Sequence, residues 1–88
     1  MAQRTEQADV LRSEAALERI NINYNGMTIS VIPTEGGVVS GSGKIVGLFL
    51  SEEDARSEEA DRLAWGTVAW DFLTPEQQAI AARNTESL

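Results

Sequence analysis

Ile20-Asn21-Ile22-Asn23-Tyr24-Asn25-Gly26-Met27-Thr28-Ile29-Ser30-Val31 is the most strongly patterned stretch of this 88-residue chain. Asn25-Gly26 is the preferred pair for a two-residue type I′ turn, because both residues accept φ > 0. A turn there sets Tyr24 opposite Met27, Ile22 opposite Ile29 and Ile20 opposite Val31. Those six apolar side chains share one face, and Asn21, Asn23, Thr28 and Ser30 share the other. Turn chemistry and alternation agree on one register, which predicts a β-hairpin with a single buried face.

The flanks are less sharply written. Thr5 suits an N-cap, and Glu6 to Arg19 has helical composition, so a helix is expected to lead into Ile20. Pro33 is expected to end the second strand or mark an edge, since proline cannot donate to a ladder. Thr34 to Gly37 reads as a turn, Val38 to Ser40 as a short third strand, and Gly41 to Gly43 as a flexible link. Lys44 to Leu50 is the fourth strand. Its near-continuous apolar run suggests a central position or two covered faces.

Ser51-x-x-Asp54 resembles a capping box and opens a helix expected to reach about Leu73, with a break allowed near Arg56. Within it, Trp65, Val68, Ala69, Phe72 and Leu73 follow the i, i+3, i+4, i+7, i+8 spacing of a core stripe. Leu63 and Trp70 extend the apolar arc beyond what one sheet covers. Thr74-Pro75-Glu76-Gln77 restarts a helix, with a threonine cap and proline at its first position, and that helix is expected to span Pro75 to Arg83.

The expected fold is therefore α+β: a small single domain over residues 1–88, with 1–4 and 85–88 frayed. It has an N-terminal helix, a three- to four-stranded antiparallel meander turning at Asn25-Gly26, and two C-terminal helices packed on the sheet. A chain of this length buries roughly 60–65 % of the surface its unfolded form exposes, enough for one modest core.

Composition narrows the chemistry. The net charge is −7, and −5 of it lies between Ser51 and Asp61, where six acids stand against the single base Arg56. Nucleic acids select clustered Lys and Arg, so direct nucleic-acid binding is not expected. There is no cysteine and no histidine. That removes disulfides, thiolate metal sites, the commonest general base and the Cys–His and Ser–His–Asp nucleophile systems. The Gly41 to Gly47 region fails the phosphate-binding patterns: Gly43-Lys44 is followed by Ile45 rather than Ser or Thr, and Val46 stands where G-x-G-x-x-G needs glycine. Adjacent acids such as Glu58 and Glu59 on a helix start do not span a cleft as hydrolytic carboxylate pairs do. No enzyme activity, cofactor or metal is expected.

The N-terminus has no apolar signal-peptide core, and the longest apolar run, Ile45 to Leu50, is far short of the roughly 20 residues that span a bilayer. A cytoplasmic protein that does not engage membranes is expected. The leading expectation for function is a small acidic protein–protein interaction module, an inhibitor or adaptor of a larger protein with a basic surface. Phage or mobile-element inhibitors of host defence form one such class. The expected partner-binding residues are Glu52, Glu53, Asp54, Glu58, Glu59, Asp61, Leu63 and Trp70. The alternatives are a self-assembling or small-ligand-binding homo-oligomer, the ligand being an anion held by Gly41 to Gly43 and Lys44, and a nucleic-acid mimic built on the acidic run.

Overall fold

The structure is a computed structural model and describes residues 16–36 and 43–88. Strands β1 (Ile20–Tyr24), β2 (Met27–Glu35), β3 (Ile45–Phe49) and β4 (Gly66–Ala69) form one antiparallel sheet in the order β1-β2-β3-β4. Between β3 and β4 lie two short helices, α1 (Glu52–Arg56) and α2 (Ala60–Leu63). A 3-10 turn at Trp70–Phe72 leads from β4 to the long helix α3 (Pro75–Ser87).

The hairpin has the register its sequence predicts, with Ile20, Ile22 and Tyr24 opposite Val31, Ile29 and Met27. Asn25 has φ 53° and Gly26 φ 81°, the two left-handed residues of a type I′ turn. A Cβ at Gly26 would meet nothing within 4 Å, so only the backbone conformation penalises a side chain there. Gly26→Ala should therefore lower stability by about 1–2 kcal/mol in chemical denaturation without changing the register. A change within error would show that the turn relaxes to another type.

Adjacent strand residues point to opposite faces, and the sheet is covered on both. Ile20, Ile22, Val31, Val46 and Leu48 pack with Leu73 and Ala81 in one cluster under α3. Ile32 and Phe49 pack with Leu17 and Ala55 in a second cluster, which α1 and the half-buried Ala60 and Ala64 close. β3 lies between β2 and β4, and four of its five residues are buried. Its apolar run serves both clusters, as its composition suggests.

The structure departs from the expected fold in several places. The helix over Glu6 to Arg19 falls mostly outside the described residues, as does the strand at Val38 to Ser40. Of the former, Ala16 to Arg19 have no regular secondary structure. Pro33 does not end β2, which continues to Glu35. The long helix from Ser51 to Leu73 is replaced by α1, α2, β4 and the 3-10 turn. Finally, α3 runs to Ser87 rather than stopping at Arg83, so most of the tail expected to fray is helical.

Ladder phase explains why β2 passes through Pro33. The Gly36 N–H donates to the Ile45 carbonyl at 2.9 Å, which sets the phase of the β2–β3 ladder. Ile32 and Thr34 turn their backbone groups toward β3, while Pro33 and Glu35 turn theirs away. Proline thus loses no bond to β3. On its other side, the β1 ladder has already ended at Ile20↔Val31. Continuing that register would bring Glu18 opposite Pro33, where a strand would find no N–H.

Asn84 of α3 fills that gap. Its Nδ2 donates to the Glu18 carbonyl at 3.0 Å and the Pro33 carbonyl at 2.9 Å, and its Oδ1 accepts the Glu18 N–H at 2.8 Å. The next outward N–H, that of Glu35, donates to Thr85 Oγ1 at 2.7 Å, and that hydroxyl donates to the Ala81 carbonyl at 2.9 Å. These anchors hold the last turns of α3 against β2. Arg83 reinforces them with paired bonds to the Glu18 carboxylate at 2.8 and 3.0 Å. The Arg83 hydrogen bond holds the Glu18 carboxyl below its ordinary range, aided by the guanidinium charge and opposed by desolvation. This tie is present above the ordinary carboxylate range and is lost as pH falls through the lowered Glu18 pKa.

The helix starts follow their sequence signals. Ser51 Oγ accepts the Asp54 N–H at 3.1 Å, and α1 ends at Arg56 with Ser57 as its C-cap. Thr74 and Gln77 form a reciprocal capping box, each side chain accepting the other's backbone N–H at 3.2 Å.

Candidate functional site

The acidic run is divided between two short helices. Glu52, Glu53 and Asp54 fill the first turn of α1, where they suit the helix dipole. Glu58 and Glu59 lie in the connection, and Asp61 opens α2. Glu52 pairs with Arg56 at 3.0 Å, and Glu59 pairs with Arg62. Arg56 also donates to the Ser87 carbonyl at 3.0 Å, tying α1 to the end of α3. Among the described residues, Glu53, Glu58 and Asp61 are exposed and enter no ion pair. Ala55 and Ala60 anchor this layer on Ile32 and Phe49, so the carboxylates point away from the sheet.

Leu63 and Trp70 do not share a helix edge. Leu63 ends α2 and is 39 % exposed, whereas Trp70 stands past the far end of β4, half-buried against the core under α3. The Lys44 ammonium sits 3.9 Å from the centre of the Trp70 ring and 2.5 Å from the Glu35 carboxylate. A cation in that position is favourable over an indole face. Trp70 is therefore already engaged on one face, and Lys44, expected as a counter-charge for an anion, is committed to Glu35.

Of the residues assigned to the core stripe, Leu73 is buried and Val68 packs against the core, whereas Trp65, Ala69 and Phe72 are exposed. Trp65 is 42 % exposed and Phe72 50 % exposed. Trp65 meets Tyr24 edge-on, with ring centroids 5.3 Å apart. Tyr24 lies opposite Met27, which is exposed at the hairpin tip. The contact links the hairpin end to the residue just before β4. The alternation Trp65/Thr67/Ala69 against Gly66/Val68/Trp70 carries this placement and was the available signal for it.

A shallow cleft of about 450 Å³ runs beside β4, lined by Lys44, Ile45 and the run Thr67 to Asp71. Among the described residues, no three carboxylates come together as metal ligands. No helix among them is long and apolar enough to cross a membrane. No family model matches the chain, nor does any curated protein or solved structure.

Proposed function

We propose that this chain is a small acidic interaction module that inhibits or adapts a larger protein bearing a basic surface. The observation that carries this reading is the α1–α2 layer. It presents Glu53, Glu58 and Asp61 without ion-pair partners among the described residues, next to the exposed Leu63 and Trp65. Apolar anchors rimmed by charge of one sign are how protein interfaces combine affinity with selection of partners. Glu52 and Glu59 support the rim less, because Arg56 and Arg62 neutralise them. Trp70 contributes less than Trp65, since core and Lys44 already hold it.

Affinity purification from the host background identifies the partner, and calorimetry measures it. The triple reversal Glu53→Lys, Glu58→Lys and Asp61→Lys should weaken binding at least tenfold and remove most of its salt dependence. Undiminished affinity in that variant would refute the acidic docking surface. A concentration-dependent dimer broken by Leu63→Ala or Trp65→Ala would favour self-assembly instead.

A further inference from the structure

The geometry points to β4 as a strand-addition edge that takes an extended, lysine- or arginine-bearing segment of the partner. This inference rests on the interaction-module reading and specifies how that partner docks. The Trp70 N–H donates to the Lys44 carbonyl at 3.0 Å, which sets the phase of the β3–β4 ladder. Val68 and Trp70 turn their backbone groups toward β3, so the N–H and C=O of Thr67 and Ala69 point outward. Both side chains are exposed. The Ala69 carbonyl opens the 3-10 turn at Trp70–Phe72, and among the described residues nothing pairs with the Thr67 N–H and C=O or the Ala69 N–H.

Elsewhere α3 caps part of the sheet's outward backbone. At the β2 edge that β1 vacates, Asn84 and Thr85 of α3 satisfy the backbone of Pro33 and Glu35. At the β1 edge, Gln77 Nε2 donates to the Asn21 carbonyl at 3.3 Å. β4 itself, Gly66-Thr67-Val68-Ala69, carries none of the lysine or proline guards that usually discourage pairing. The cleft lies across the paired ends of β3 and β4, where Asp71 and the Glu35-bound Lys44 both line it, and the free backbone of β4 itself is what an added strand would pair with.

Charge selects the occupant. Each chain carries −7, so a second copy would meet like charge. A basic segment would instead meet Asp71 in the cleft and the acids of α1 and α2 beyond Trp65.

Ala69 offers a clean test. Its φ is −68°, which is the proline value, and its N–H faces away from β3, so Ala69→Pro removes an outward donor while keeping the ladder. The probes are a synthetic peptide of alternating valine and lysine and its counterpart with glutamate for lysine. In the free protein, the Thr67 and Ala69 amides should exchange freely with solvent. The lysine peptide should slow exchange at both sites at least tenfold, bind at least tenfold more tightly than the glutamate peptide, and be lost in Ala69→Pro, whose dispersed amide spectrum shows it folded. Four results would overturn the inference: prior protection of these amides in the free chain, equal binding of the two peptides, unchanged binding by Ala69→Pro, or a dimer by sedimentation that Ala69→Pro dissolves. The last would name a second copy as the occupant. If the purified partner loses affinity for the α1–α2 charge reversal but not for Ala69→Pro, acidic docking stands and strand addition falls. If it loses affinity for Ala69→Pro but not for the charge reversal, strand addition stands and acidic docking falls.

Discussion

Asn84→Ala is expected to lower stability by about 3 kcal/mol or more, because it strips partners from three backbone groups at once, each costing about 1–3 kcal/mol when buried and unpaired. Those groups are the Glu18 N–H and the carbonyls of Glu18 and Pro33. Asn84 is 2 % exposed, so water does not readily replace it. In a domain of this size, such a loss corresponds to a fall in Tm of about 12–24 °C. Asn84→Asp sharpens the test. It keeps an acceptor for the Glu18 N–H but turns carboxylate oxygen toward two carbonyls, so it should destabilise at least as much as alanine near neutral pH. Paired thermal and urea unfolding curves measure both variants. A loss under about 1 kcal/mol for alanine, the low end for one unpaired group, would mean that the chain re-pairs this edge by itself.

Phe49→Ala should cost about 3–5 kcal/mol, the usual range for emptying a buried phenylalanine site. Phe49 is 1 % exposed and is the largest of the fully buried side chains. Its cluster is small: the other buried members are Leu17, Ile32 and Ala55. Among the described residues, none of these neighbours matches it in size. Domains of this length are stabilised by about 4–13 kcal/mol in total, so this one change approaches the threshold of unfolding. Its local effect should also be uneven. The α1–α2 layer rests on Phe49, whereas the hairpin packs on the opposite face. Hydrogen exchange should therefore accelerate more at Ala55 and Ala60 than at Ile22 and Ile29. Uniform acceleration would show that the two clusters unfold as one unit. Because the proposed docking acids ride on α1 and α2, the variant should also bind the partner more weakly, even under conditions where it stays folded.

What could be read from residues alone was whatever depended on near neighbours. The Asn25-Gly26 turn, the hairpin register, the Ser51 and Thr74 caps and the break after Arg56 each follow from local chemistry within a few residues. The double-sided burial of Ile45 to Phe49 was legible for a related reason, since a continuous apolar run has no polar face to expose. The acidic window was legible as composition, though its division between two short helices was not. Leu63, expected on a partner surface, is exposed at the end of α2. Trp65 and Phe72 lie outside the core because the stretch also carries a period-2 alternation, Trp65/Thr67/Ala69 against Gly66/Val68/Trp70, and a run this short does not decide between the two periods; Phe72 falls in the turn that follows β4.

The remaining features came from contacts distant in sequence. Gly66-Thr67-Val68-Ala69 is a strand because the outward backbone groups of β3 require a partner, and because glycine and β-branched residues surrender little by leaving a helix. Pro33 remains inside β2 because the ladder phase turns its nitrogen toward an edge that β1 has left. α3 extends to Ser87 because Asn84 and Thr85 find backbone partners 51 and 50 residues earlier. Local sequence specifies turns, caps and alternation, since these are satisfied within a few residues. Which polar backbone groups lie unpaired, and which distant side chain meets them, exists only once the chain has closed on itself. In this protein, that closure is what leaves the β4 edge, among the described residues, open beside its acids.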